Sequence, residues 1–134
     1  MMFSVYISAK SHSGEPSAVT EATGLLADES RTVGRPHGPT GAPSRSSAWV
    51  KHLGPKGAVT RVEDVICEVH ESWGPAVAEG LNGLRQHGWE IQLVIVQRIE
   101  GEDDHMSRGI TLCRESIDWL ARAGTSIDID QYVL

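Results

Sequence analysis

Residues 126–134 read SIDIDQYVL and place two carboxylates, Asp128 and Asp130, two positions apart in an apolar run. A carboxylate pair can hold Mg²⁺ or Ca²⁺, or divide the work of acid and base. On a strand, the side-chain period of two puts both on one face with Tyr132, opposite Ile127, Ile129 and Val133. A hard cation needs more oxygens than this local motif supplies. Glu102 or Asp103, from the acidic stretch EGEDDH (100–105), could add one if the fold brings them near. That stretch lacks the spaced D-x-D-x-D-G of a calcium loop and reads as a solvated charge run. The other use of Asp128 and Asp130 is structural. They can pair with Arg98 or Arg108, or keep an edge strand from recruiting another chain. The spacing leans to the structural use.

The remaining reactive side chains are dispersed. Cys67 and Cys113 lie far apart without C-x-x-C spacing, so reduced thiols are expected rather than a disulfide framework or a zinc site. Neither cysteine shows a histidine partner along the sequence. Cys113 opens a predicted helix, where amide dipoles favour thiolate; a substituted helix cap is the simpler account. His12, His37, His52, His70, His87 and His105 form no H-x-x-x-H or H-E-x-x-H. There is no G-x-S-x-G and no P-loop, and GPTG and GLNG lack the phosphate-binding pattern. No cofactor is implied, and no catalytic constellation is complete.

The elements that would carry these residues follow from periodicity. FSVYISA (3–9) alternates as a half-buried strand, and PSAVTEATGLL predicts a short helix with Val19, Ala22 and Leu26 inward, capped by Ser13 or Ser17. SRTVG is a short second strand, and GRPHGPTGAPSRSS (34–47), rich in proline and glycine, a long exposed loop. SAWVKHL resumes the alternation. TRVEDVICEVHESW is the clearest helix: Thr60 with Glu63 makes a capping box, and Val62, Val65, Ile66, Val69 and Trp73 form one buried stripe. Gly74-Pro75 kinks or ends it, a second segment runs to about Gln86, and Gly88 suits a left-handed stop. WEIQLVIVQRI (89–99) is a strand, GITL a short return strand, CRESIDWLARAG a helix and SIDIDQYV a last strand. The order predicts a single α+β domain over 1–134. Its first six elements match a ferredoxin-like two-layer sandwich, with a mainly antiparallel sheet and helices on one face. A C-terminal helix and strand extend it.

The composition fits a globular domain: 40% hydrophobic, 22% charged, with a formal net charge of −6. That sign opposes nucleic-acid binding and favours a basic partner. No apolar run is long enough to span a bilayer, and MMFSVYISAK lacks the features of a signal peptide, so a cytoplasmic setting is expected.

The pieces GLLADESRTVGRPHG, SSAWV and SIDWLARAGTSIDIDQY together resemble a family of small bacterial proteins of unknown function. That family ends in L-x-x-L-x-x-L-G-x-x-L-D-I-D-x-Y. The resemblance spans nearly the whole chain and implies the fold, with no assigned reaction. Two departures stand out: Cys113 replaces the usual serine at the last helix cap, and Trp119 takes a position that is usually polar.

The surfaces suggest a binding role. Asp64, Glu68 and Glu71 line the capped helix opposite its apolar stripe as an acidic ridge. On the last helix Ile117, Leu120 and Ala121 are the expected buried stripe. Trp119 then falls about 200° round from Ile117. An exposed tryptophan beside acidic surface has the character of a protein-binding hot spot, and the alternative is that Trp119 tucks against the proline-rich loop or a subunit neighbour. The expected function is a non-enzymatic protein-binding module, immunity-like, that neutralises a basic toxin or effector through Asp64, Glu68, Glu71 and Trp119. The alternatives are a cation-dependent enzyme or ligand-binding domain using Asp128 and Asp130, and a self-associating homo-oligomer.

Overall fold

A computed structural model describes residues 2–55, 57, 61–101 and 109–134. Strict alternation makes β1 (Met2–Ser11): Val5, Ile7 and Ala9 are fully buried while Ser4 and Tyr6 face the other way. Then come α1 (Ser17–Thr23), β2 (Glu29–Arg31), β3 (Ser47–Gly54), α2 (Val62–Arg85), β4 (Glu90–Ile99), α3 (Arg114–Ala123) and β5 (Ser126–Val133). The strands form one sheet in the order β2-β3-β1-β4-β5. The pairings β2–β3, β3–β1 and β1–β4 are antiparallel, and β4–β5 is parallel. The sheet is therefore mixed rather than purely antiparallel, because α3 carries the chain back across before β5 begins.

One core holds the layers together. Val5, Ile7, Trp49, Ile91, Leu93 and Ile95 of the sheet meet Val19, Val62, Val65, Ile66, Leu81, Trp119 and Leu120 of the helices. All these sheet residues lie on one face, so the other face carries no described helix. α2 packs against both α1 and α3. Its predicted stripe is confirmed, with Val62, Val65, Ile66 and Val69 buried. Gly74 (φ 68°, ψ −174°) breaks the helix geometry immediately before Pro75, which gives the kink.

Several local expectations are corrected. The cap of α2 is Arg61, with no side-chain capping bond, and Thr60 lies outside the described residues. Glu63 instead accepts the Thr111 amide at 3.1 Å, tying the segment before α3 to α2. α1 starts after Pro16 without a serine cap and stops at Gly24, so Leu26 lies beyond it and is 73% exposed; Ala22 is exposed too. GITL is not a strand: Ile110 and Leu112 pack against the core instead. The loop at 34–44 is exposed but closed by its own backbone bonds, including Gly34 N–H to Ser44 and His37 N–H to Ala42. Among the described residues, no helix is long and apolar enough to cross a membrane.

Candidate functional site

The parallel pairing of β5 on β4 decides where its carboxylates go. Asp128 lies beside Val94, Asp130 beside Val96 and Tyr132 beside Arg98. β1 continues these rows, with Tyr6 beside Val94 and Ser4 beside Val96, and His52 of β3 lies beyond Tyr6. Paired residues share a face. The row His52–Tyr6–Val94–Asp128 therefore crosses the side of the sheet that no described helix covers. The Tyr6 and His52 rings meet edge to face, centroids 6.0 Å apart. A hollow of about 490 Å³ is lined by Tyr6, Val96, Arg98, Asp130 and Tyr132. Asp130 is half-buried there and Tyr132 is 54% exposed; Asp128, one row along, is half-buried outside the hollow's lining.

The electrostatics of this face are acidic. Partial burial, then the negative charges of Asp130 and Asp128, push the Tyr6 phenol above its usual pKa. It stays a neutral hydrogen-bond donor across the ordinary pH range. The face combines an apolar floor, two phenols and two carboxylates with Arg98 at the same hollow; carboxylates pair with cations, and aromatic rings stack on their stems. The sequence placed Asp128, Asp130 and Tyr132 on one face correctly. It gave no sign of Tyr6, which only the sheet order brings alongside. Glu102 and Asp103, the further oxygen donors considered for a cation, lie outside the described residues, as does Arg108.

The predicted hot spot divides. Asp64, Glu68 and Glu71 are exposed on α2, on the side of the molecule away from that sheet face. Trp119, however, is only 6% exposed. Its Nε1–H donates to the Gly74 carbonyl at 2.8 Å, and its ring lies 5.9 Å from that of Trp73. The indole thus ties α3 to the backbone of α2 at the kink. The buried stripe of α3 is Ser116, Trp119, Leu120 and Ala123, and Ile117 is 52% exposed. The stripe is thus rotated from the one centred on Ile117.

A second constellation lies where α3 begins. Cys67 and His70 are three apart on α2 and so share a face; Sγ and Nε2 are 3.6 Å apart. Cys113, the extended cap residue of α3, brings a second thiol to them, and the three ligand atoms lie within 4.8 Å of one another. The Cys113 thiol donates to Ser116 Oγ at 3.3 Å. That hydroxyl and the Ser116 amide lower the Cys113 pKa, while burial, then Cys113 itself, raises that of Cys67. The Glu115 carboxyl is held below its usual value by its own amide, the Cys113 thiol and the His70 charge. The expectation that neither cysteine has a histidine partner is therefore corrected. C-x-x-H at 67–70 was readable on a helix; the arrival of Cys113 was not.

These features define a small α+β domain on one mixed sheet, with one sheet face that no described helix covers and a thiol–imidazole cluster between two helices. Residues 1–134 match the family described as Domain of unknown function (DUF4279), and the chain belongs to that family. No curated protein and no solved structure matches the chain.

Proposed function

We propose that the protein is a non-enzymatic binding module that docks a basic protein segment on the sheet face opposite its described helices. The observation that carries this reading is the grouping of Tyr6, Asp128, Asp130 and Tyr132 on the face that no described helix covers. A lysine or arginine laid over these rows would pair with the carboxylates while its stem rests on the phenols. The net charge of −6 draws such a partner in at long range. In cellular terms this is an immunity-like protein that neutralises a basic toxin or effector in the cytoplasm, where Cys67 and Cys113 stay reduced. The ridge of Asp64, Glu68 and Glu71 is a second acidic surface for the same partner class. Trp119 has no part in the contact.

We read β1 to β4 with α1 and α2 as a ferredoxin-like two-layer unit, extended by α3 and β5. The strand order β2-β3-β1-β4, with antiparallel neighbours, supports it. The test of the binding face is charge reversal. Asp128→Lys with Asp130→Lys should abolish retention of a basic partner while leaving the fold intact by circular dichroism. Unchanged retention would remove the sheet face from the contact. The competing reading is a cation-dependent activity of Asp128 and Asp130, favoured by their placement beside the same hollow. Calorimetric titration with Mg²⁺ and Ca²⁺ distinguishes it: heat and a raised melting temperature support it, and silence in both removes it.

A further inference from the structure

We propose that Cys67, His70 and Cys113 form a binding site for a soft divalent metal, with Zn²⁺ as its natural occupant by ligand chemistry. Two thiolates and one imidazole are a donor set that selects zinc over the hard cations, which prefer oxygen. The geometry agrees. In tetrahedral zinc coordination, Zn–S of about 2.3 Å and Zn–N of about 2.05 Å put neighbouring sulfur and nitrogen about 3.5 Å apart, and two sulfurs about 3.8 Å apart. Cys67 Sγ and His70 Nε2 already stand 3.6 Å apart, and all three donor atoms fall within 4.8 Å of one another. A metal placed among them needs only small side-chain adjustments.

The scaffold holds these donors firmly. Cys67 and His70 ride on the buried half of α2, next to Ile66 and Val69. Cys113 is the extended residue that caps α3, whose Trp119 and Leu120 are locked into the same core. The site thus adds a clamp between two helices that also meet through packing and the Trp119–Gly74 hydrogen bond. Binding releases the thiol protons to solvent, and the Ser116 hydroxyl beside Cys113 Sγ then donates to the thiolate. Three protein donors leave one coordination position. His70 and Glu115 border a hollow of about 310 Å³ through which water can fill it.

The test uses the full-length reduced protein with the metal alone. Titration with Co²⁺, followed by absorbance, should saturate at one equivalent with the strong thiolate-to-cobalt bands of a tetrahedral site. Zn²⁺ should displace it, and its affinity is then read by competition with a chromogenic chelator. Cys113→Ser is the decisive variant. Serine is a good helix cap, so the fold is kept, as a melting curve would verify. It should bind Zn²⁺ at least tenfold more weakly and lose part of the thiolate band. His70→Gln should keep the thiolate band and lose affinity. Absence of the band at one equivalent overturns the proposal, as does equal Zn²⁺ affinity in Cys113→Ser. A reduced protein that ignores Zn²⁺ but forms a Cys67–Cys113 disulfide on mild oxidation would be a redox pair, which also overturns it.

Discussion

Trp119 shows how a single side chain can be read onto the wrong face. On a ten-residue helix the largest aliphatic, Ile117, dominates any hydrophobicity-based phase. Yet Ser116 and Ala123 are small enough to let α3 approach α2 closely, and the Gly74 carbonyl at the kink accepts the indole N–H. The Gly74 carbonyl belongs to the partner helix, so α3 alone could not reveal that contact. Trp119→Ala should therefore cost stability rather than partner affinity. Loss of a buried tryptophan amounts to about 3–5 kcal/mol, read by urea unfolding. Trp119→Phe keeps most of the packing but strands the Gly74 carbonyl, for about 1–3 kcal/mol.

Glu63 is a second residue whose role is tertiary. Burial works to raise its pKa, but its own amide, the Thr111 amide and Arg61 outweigh this, and the carboxyl sits below its ordinary value. A folded-state pKa below the unfolded one gives stability that is complete above the unfolded value, about 4.3. It is lost as pH falls through the folded value. Wild-type protein should lose more stability than Glu63→Gln as pH falls from about 5 to 3, measured by denaturant midpoints. Equal losses would show that the bond to Thr111 is not maintained in solution.

At the scale of elements, the antiparallel strands and α2 were legible because each buries one regular face: odd positions in β1 and β4, an i, i+3, i+4 stripe in α2. The partner of β5 was not legible. Its alternation fixes which residues share a face but says nothing of which strand lies beside it, or in which direction. Ile127 and Ile129 turn to the helix side of the sheet edge yet remain 42% and 47% exposed, since α3 does not reach over them. Buried Gln97 accepts a 2.8 Å hydrogen bond from Gln131 and fixes the register of the edge strand. The two glycines of GLNG likewise look equivalent in sequence and are not. A Cβ on Gly80 would collide with the backbone carbonyl of Ala22, whereas Gly83 has open space. Gly80→Ala should force α1 from α2 and destabilise by about 1–3 kcal/mol. Gly83→Ala should stabilise by about 0.5–1 kcal/mol through helix propensity.

At the scale of the whole molecule, the domain has two distinct sides. Helices and the thiol–imidazole cluster occupy one, and an acidic, aromatic sheet face the other. The net charge of −6 favours a basic partner, and the SIDIDQY ending had put Asp128, Asp130 and Tyr132 together. What it could not supply was the row of Tyr6, Val94 and His52 that turns two carboxylates into a surface. The edge of β5, which no described strand pairs, carries exposed Ile127, Ile129 and Val133 and also predicts weak self-association. Light scattering should show a concentration-dependent dimer that Ile129→Lys reduces.

The most direct measurement of the binding account is a comparative pull-down from cell extract at physiological salt, read by mass spectrometry. Wild type, the Asp128→Lys/Asp130→Lys pair and the Glu68→Lys/Glu71→Lys pair would run side by side. A basic protein retained in stoichiometric amount by wild type and by the ridge variant, but lost with the sheet-face variant, is the predicted result. The same protein retained by the sheet-face variant would contradict the account.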